Sequence, residues 1–137
     1  MKIKTANIND LGNILKIDRH VPKDRLEKLI GEGFIYLLED EVKGSIEGFL
    51  RYSLFWQTIP FLDLIILNEN YRNKGFGTLL MDKWENDMKL NSFKYVMTST
   101  QADETAWQFY EKRGYLNKGG FFPPNQEAEE LIYVKEL

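Results

Sequence analysis

Hydrophobic positions in this chain follow two different periods, and the change from one to the other divides it into strands and helices. Alternating or nearly unbroken apolar runs predict strands. The most continuous run, Phe61 to Leu67, is interrupted only by Asp63 and predicts a central strand that is buried on both faces. The other predicted strands are residues 2–6, 34–40, 44–56, 93–100, 115–121 and 130–137.

Apolar residues at helical spacing predict the segments between these strands. The clearest case is residues 76–90, where Phe76, Leu80, Trp84 and Met88 recur every four residues and predict a helix of about four turns. Residues 104–113 predict a last helix that ends at Gly114.

The first two helices are predicted from their ends as much as from their period. Asn9 and Asp10 could cap a helix over residues 11–20. Residues 23–30 follow Pro22 and predict a second helix that stops at the glycines Gly31 and Gly33. The resulting order, β-α-α-β-β-β-α-β-α-β-β, predicts an α/β fold in which one mixed sheet has a central β-α-β crossover and flanking helices.

Composition narrows the classes of function that remain. The chain has 137 residues, of which 43% are hydrophobic, and we expect a single domain over residues 1–137. It contains no cysteine and one histidine, His20, which excludes thiolate chemistry and argues against a metal site. The formal charge of −3 and the lack of a long apolar segment favour a cytoplasmic protein that binds neither nucleic acid nor membrane.

The segment Tyr71 to Gly77, YRNKGFG, lies between the continuous strand and the longest helix. Glycines at a strand-to-helix turn let a ligand approach the backbone, and the free amides of the helix bind phosphate. Arg72 and Lys74 add positive charge beside Gly75 and Gly77, which suits a pyrophosphate. The alternative is that the glycines only form a tight turn.

Two familiar phosphate-binding loops do not fit this segment. A dinucleotide-binding fingerprint would need a glycine where Leu80 stands, and the Walker sequence is absent. The pattern R-x-x-G-x-G formed by Arg72, Gly75 and Gly77 instead resembles motif A of the GNAT superfamily of N-acetyltransferases, whose loop and following helix hold the pyrophosphate of coenzyme A.

A second segment, ADETAWQFYEKRGYLNKGGF, supports the same resemblance. It is similar to the family's motif B, with Asp103 standing where asparagine is usual. The residues that fit the motif are Ala106, Tyr110, Glu111, Lys112, Gly114 and Tyr115. The resemblance implies that acetyl-CoA is bound by residues Ile65, Ile66, Leu67, Arg72, Asn73, Lys74, Gly75, Phe76, Gly77, Thr78, Asp103, Ala106 and Tyr110.

Acetyl transfer to an amine needs a neutral amine, stabilisation of the oxyanion and a proton for the departing thiolate. The resemblance makes Tyr110 the general acid; the alternative is a core tyrosine with its hydroxyl at the surface. Backbone amides of residues 65–67 would stabilise the oxyanion if the strand separates from its neighbour. Asp63 would serve as base or hold the amine, unless it is an acid at the cleft mouth or a partner for Arg51.

We therefore expect an acetyl-CoA-dependent N-acetyltransferase that transfers the acetyl group directly to a primary amine, on a small molecule or a peptide. A non-catalytic acyl-CoA-binding sensor or regulatory module is the main alternative, and it would not need Tyr110. A small nucleotide-binding or structural domain is a third, which selective binding of coenzyme A would dismiss. The edges of the two C-terminal strands would allow a homodimer.

Overall fold

The two hydrophobic periods produce seven strands and four α-helices in the computed structural model, which describes residues 1–137. The strands are β1 (Lys2–Thr5), β2 (Ile35–Asp40), β3 (Ser45–Phe55), β4 (Ile59–Leu67), β5 (Tyr95–Gln101), β6 (Leu116–Phe121) and β7 (Glu130–Glu136). The helices are α1 (Leu11–Ile17), α2 (Lys23–Glu32), α3 (Phe76–Leu90) and α4 (Ala106–Lys112).

All seven strands belong to one mixed sheet with the order β1-β2-β3-β4-β5-β7-β6. Every neighbouring pair is antiparallel except β4 and β5, which are parallel and joined by α3. This arrangement confirms the predicted α/β fold with a central β-α-β crossover.

Each face of the sheet carries its own hydrophobic cluster. Buried residues of α3 and α4 pack with Leu50 and Tyr52 of β3 on one face. Buried residues of α1 and α2 pack with Phe49 of β3 and Leu37 of β2 on the other. Because side chains alternate along β3, one strand supplies both clusters. None of the helices combines the length and apolar character that a bilayer-spanning helix requires.

The ends of the first two helices differ from the prediction. Asn7, rather than Asn9 or Asp10, caps this region: its side chain accepts a hydrogen bond from the Asn9 amide at 2.9 Å, and Asp10 accepts one from the Asn7 amide at 2.9 Å. This capping box opens a 3₁₀ turn before α1. α2 runs through Gly31 and ends at Glu32, because Gly33 takes the left-handed conformation at φ 80°.

The prediction that β4 is buried on both faces is wrong for its second half. The strand does lie centrally, between β3 and β5. As a whole residue Asp63 is nevertheless exposed, although only 28% of its side-chain surface is accessible, and Leu64 to Leu67 are half-buried. The cause is a separation of β4 from β5, which shapes the candidate site.

Candidate active site

β4 and β5 pair over a very short length and then diverge. Their register joins only Phe61 to Met97 and Leu62 to Thr98. β5 meanwhile stays paired with β7 as far as Gln101. Beyond Leu62, the edge of β4 that faces β5 therefore has no strand partner, and residues 65–67 lie in this part of the strand.

A bulge at Asp63 marks the point at which β4 diverges from β5. Arg51 pairs with Leu64 and Tyr52 pairs with Leu62, so Asp63 is an extra residue in the β3–β4 ladder. Such a bulge bends the strand and increases its twist. The acid that interrupts the apolar run is therefore also the residue at which the two strands begin to separate.

A cleft of about 440 Å³, which we call the turn cleft, lies where β4 meets the glycine turn. Arg72 Nε donates to the carbonyl oxygen of Leu67 at 3.0 Å, which anchors its guanidinium beside the turn. Gly75 has φ 86° at the start of α3, a conformation that favours glycine. The lining residues are Ile65, Leu67, Arg72, Asn73, Gly75, Gly77, Thr78 and Phe109.

The amino end of α3 points its free amides into this region. Leu79 is the first residue whose amide is bonded to the helix start, donating to the Gly75 carbonyl at 3.1 Å. The amides of residues 76–78 precede it and have no helical acceptor. With the positive end of the helix dipole, they make this end of the cleft attractive to an anion.

A smaller space of about 170 Å³, which we call the strand recess, opens between β4 and β5. Ile65 lines both spaces, so the recess adjoins the turn cleft. The recess is lined by Leu62, Asp63, Leu64, Ile65, Thr98, Ser99, Ala106 and Tyr110. The separation of the strands thus brings the two candidate catalytic residues, Asp63 and Tyr110, to one cavity.

Tyr110 is held by α4 with only 5% of its surface exposed. Its ring meets the edges of Phe109 and Tyr115, with centroids 5.5 and 5.6 Å away. Burial raises the pKa of the Tyr110 phenol, and the nearby Thr98 side chain offsets part of that rise. The phenol therefore stays protonated at neutral pH, as a proton donor must.

Asp63 belongs to a row of charged side chains that runs from the end of α1 through β3 to β4. Arg51 Nε binds the fully buried carboxylate of Asp18 at 2.7 Å, and Arg51 Nη1 lies 3.6 Å from Asp63 Oδ2. Asp63 is thus both a partner of Arg51 and a lining residue of the recess, and its role as base or holder of the amine stays a prediction. Two carboxylates share one guanidinium, which leaves a formal charge of −1 beside the recess.

The ionised form of Asp63 is disfavoured in the folded protein. Burial raises the pKa of its carboxyl, the Asp18 charge adds to the rise, and Ser53 and Arg51 oppose it. Between its ordinary pKa and this raised value, the folded state binds more protons than the unfolded state, so stability falls as pH increases through that window.

We expect Asp63→Asn to remove this pH dependence. The variant should gain stability relative to the wild type as pH rises from acid to neutral, because it has no charge to bury. Urea unfolding of both proteins across this range would measure the difference. A difference that does not change with pH would contradict the expected ionisation. Asp24→Asn, at an exposed position on α2, is the matched control.

Four of the residues predicted to bind the cofactor do not line either space: Ile66, Lys74, Phe76 and Asp103. Alternation along β4 turns Ile66 away from its neighbours 65 and 67. Phe76 packs its side chain against the core, and Asp103 precedes α4 instead of lying on its face. His20 is exposed and lines neither space.

Sequence reasoning missed Phe109, Thr98 and Ser99, which line the turn cleft or the recess. Phe109 stands three residues after Ala106, so the helical period could have indicated it. Thr98 and Ser99 carried no such signal, because their role depends on where β5 leaves β4.

Known proteins are similar to this chain in sequence. The family model described as "Acetyltransferase (GNAT) family" matches residues 10–115. An amino-acid acetyltransferase from Buchnera aphidicola subsp. Schizaphis graminum (strain Sg) is 28% identical over 122 residues, covering 84% of this chain. The match covers 27% of that relative, so the chain spans little more than a quarter of its length.

Solved structures show the same fold at low sequence identity. A ribosomal-protein-alanine N-acetyltransferase from Brucella melitensis superposes with a TM-score of 0.83 at 19% identity, covering 100% of both chains. A protein assigned as a streptothricin acetyltransferase from Bacillus anthracis str. Ames, in complex with acetyl coenzyme A, gives 0.67 at 23% identity, covering 75% of this chain and 61% of that one.

The matched segment contains the glycine turn, the bulge at Asp63 and Tyr110, and so it includes the residues on which the resemblance was based. That resemblance is confirmed: the chain belongs to the GNAT acetyltransferase family.

Proposed function

We propose that this protein is an acetyl-CoA-dependent N-acetyltransferase that transfers the acetyl group directly to a primary amine in a ternary complex. The observation that carries the proposal is that the turn cleft and the strand recess adjoin at Ile65. An anion-binding turn and a buried phenol therefore border adjoining spaces, as binding and proton donation by the same enzyme require.

Gly77 supports the fit of coenzyme A to the turn cleft. A Cβ at this position would make only ordinary contacts, 3.8 Å from Leu67 Cδ1 and 4.0 Å from Phe109 Cζ. Neither the backbone conformation nor packing within the chain therefore demands glycine there. A ligand that lies against the backbone does demand it, because a side chain would fill part of the cleft.

The residues that line the turn cleft would contact different parts of coenzyme A. Arg72, Asn73, Gly75, Gly77 and Thr78 would hold the pyrophosphate, while Ile65, Leu67 and Phe109 would cover the apolar part of the cofactor. Lys74 lies in the turn outside the lining and adds positive charge. Acetyl-CoA supplies an acetyl group activated as a thioester.

Tyr110 then acts on the leaving sulfur, and Asp63 acts on the amine. Tyr110 gives its proton to the departing sulfur, since its phenol is protonated at neutral pH and lines the recess where the thioester would lie. Asp63 holds the amine nitrogen, and the unpaired edge of residues 65–67 offers amides to the carbonyl oxygen. One C–N bond forms, one C–S bond breaks, and the amine nitrogen releases a proton to solvent.

The absence of cysteine supports direct transfer, because no acyl-thiol enzyme can form. A non-catalytic acyl-CoA-binding module on the same fold is the second candidate. It would need the turn cleft but would have no use for a buried phenol in the strand recess, so the position of Tyr110 favours the enzyme.

The first test is calorimetric titration with acetyl-CoA, with NAD and ATP as controls. We expect selective one-to-one binding. Changing Arg72 and Lys74 together to alanine should weaken it, with each charge-assisted contact worth about 1.5 to 3 kcal/mol. The loss should shrink at high salt, because part of the attraction is screened.

The matched control is Lys89→Ala with Lys94→Ala, which removes two exposed charges near the far end of α3. This control should bind acetyl-CoA as the wild type does. Unchanged affinity in the Arg72 and Lys74 variant would rule out the glycine turn as the pyrophosphate site. Absence of acetyl-CoA binding by the folded wild type would overturn the proposed function.

A further inference from the structure

A second cleft, which we call the aromatic cleft, opens on the other side of Asp63. It measures about 460 Å³, a size typical of sites for small molecules. Asp63 and Ser99 line both the strand recess and this cleft, so the two spaces meet at the same carboxylate. The aromatic cleft therefore gives a molecule access to Asp63 from the side opposite the glycine turn.

The polar and apolar walls of the aromatic cleft are separated. Its polar residues are Asp63, Ser99 and Ser53, and the first two also line the recess. Its aromatic residues are Phe55, Trp56, Phe61 and Phe121. The polar groups are thus gathered where the cleft meets the recess, and aromatic rings form most of the remaining wall.

Trp56 is exposed and held in a costly backbone conformation. Its φ is 54° and that of Gln57 is 61°, in the turn that connects β3 to β4. A bulky residue rarely adopts this left-handed region. The side chain is 78% exposed, and its ring packs on Phe55 with centroids 4.7 Å apart. The two positive φ angles are those that a two-residue hairpin turn favours, with the Thr58 amide bonded to the Phe55 carbonyl, so the turn accounts for the conformation. Core packing does not account for a tryptophan at this position.

The charges at the polar end of the aromatic cleft favour a ligand with one ammonium group. Asp18 and Asp63 share Arg51, which leaves one negative charge to neutralise. Ser99 carries no charge; its hydroxyl donates to the carboxylate of Glu130 at 2.7 Å, and Glu130 does not line the cleft. A single ammonium group complements this end, whereas a carboxylate next to the amine would face two acids.

Charge also argues against a second cationic group on the ligand. Through Ser53 and Leu54, the aromatic cleft adjoins a groove along α2. Arg25 and Lys28 line that groove and form no ion pair, while Glu32 is its only acid. A polyamine reaching beyond the aromatic wall would meet this net positive charge.

We propose that the acceptor is a primary monoamine carried on an aromatic body, with its nitrogen at Asp63 and its ring against Phe55 and Trp56. This inference rests on the proposed function, because it assigns the amine of the same transfer. The ammonium first releases a proton to solvent, the neutral nitrogen loses a second as its bond to the acetyl carbon forms, and the sulfur gains one from Tyr110, which solvent reprotonates.

The test compares four amines by the rate of thiol release from acetyl-CoA: 2-phenylethylamine, n-butylamine, spermidine and glutamate. We expect 2-phenylethylamine to give the highest kcat/KM, about tenfold above n-butylamine, because only it can stack on the aromatic wall. A higher kcat/KM for spermidine or glutamate would overturn the assignment.

A Trp56 variant tests whether the aromatic wall causes the preference for 2-phenylethylamine. Trp56→Ala should raise KM for 2-phenylethylamine about tenfold, with the affinity for acetyl-CoA retained. Leu90→Ala, which also removes an exposed apolar side chain but at the end of α3, should match the wild type. If Trp56→Ala instead changes the sedimentation coefficient and leaves KM unaltered, the aromatic surface joins two copies of the chain and the proposal is wrong.

Calorimetry with acetyl-CoA distinguishes failure of the acceptor assignment from failure of the proposed function. Acetyl-CoA binding without acetylation of 2-phenylethylamine would overturn the acceptor class and leave the cofactor site intact. No binding of acetyl-CoA would overturn both proposals.

Discussion

Tyr110→Phe should lower kcat by a factor of about 10² to 10⁴, the usual contribution of a positioned general acid. The substitution keeps the buried ring and its contacts with Phe109 and Tyr115, and removes only the proton that the sulfur needs. Affinity for acetyl-CoA should change little, because the turn cleft is untouched. Steady-state kinetics with calorimetry would separate the two quantities.

Tyr133→Phe is the matched control for this prediction. Tyr133 is also buried, but its hydroxyl donates to Glu111 at 2.7 Å and lines neither the turn cleft nor the recess. Its loss should cost about 1 kcal/mol of stability and leave kcat nearly unchanged. An unaltered kcat in Tyr110→Phe would remove this tyrosine from the acid role and favour a module that only binds acyl-CoA.

Glu85→Ala should destabilise the fold by about 3 to 5 kcal/mol, the typical cost of leaving buried charges without a partner. Glu85 lies on α3 with 8% of its side chain exposed and binds Lys135 at 2.6 Å, Tyr115 at 2.9 Å and Arg113 at 3.0 Å. It therefore joins the helix that follows the glycine turn to the segment after Tyr110. Urea unfolding would measure the loss.

Asp82→Ala provides the control for Glu85. Asp82 lies on the same helix and also binds Arg113, at 2.8 Å, but 55% of its side chain is exposed. Its removal should cost less than about 1 kcal/mol, because solvent screens an exposed pair. Equal losses in the two variants would mean that burial does not set the strength of this network.

The order and type of the elements could be predicted because each follows from local spacing. The four-residue recurrence from Phe76 to Met88 corresponds to α3, and glycine in the left-handed region ends α2. The predicted ends were less accurate. The Asn7 capping box was missed, because several polar residues near position 9 offered competing caps.

The glycine turn and Tyr110 could be found in the sequence because family motifs mark both. No motif in the sequence could show which of the proposed contacts Asp63 makes. Its contact with Arg51 depends on the register of β3 and β4, and the fixed position of Arg51 depends on Asp18, which is distant in sequence. Glu85 gave no signal either, because its three partners come from two later segments.

The sequence by itself determined the alternation of strands and helices, the positions of Gly75 and Gly77, and the lack of a cysteine nucleophile. These features depend on backbone preference, hydrophobic period and chemical identity, which are local properties. Only the tertiary structure decided that β4 leaves β5 after Leu62, and that Asp63, Tyr110 and Trp56 border adjoining spaces. A cavity depends on what distant segments fail to fill, and no local pattern records that.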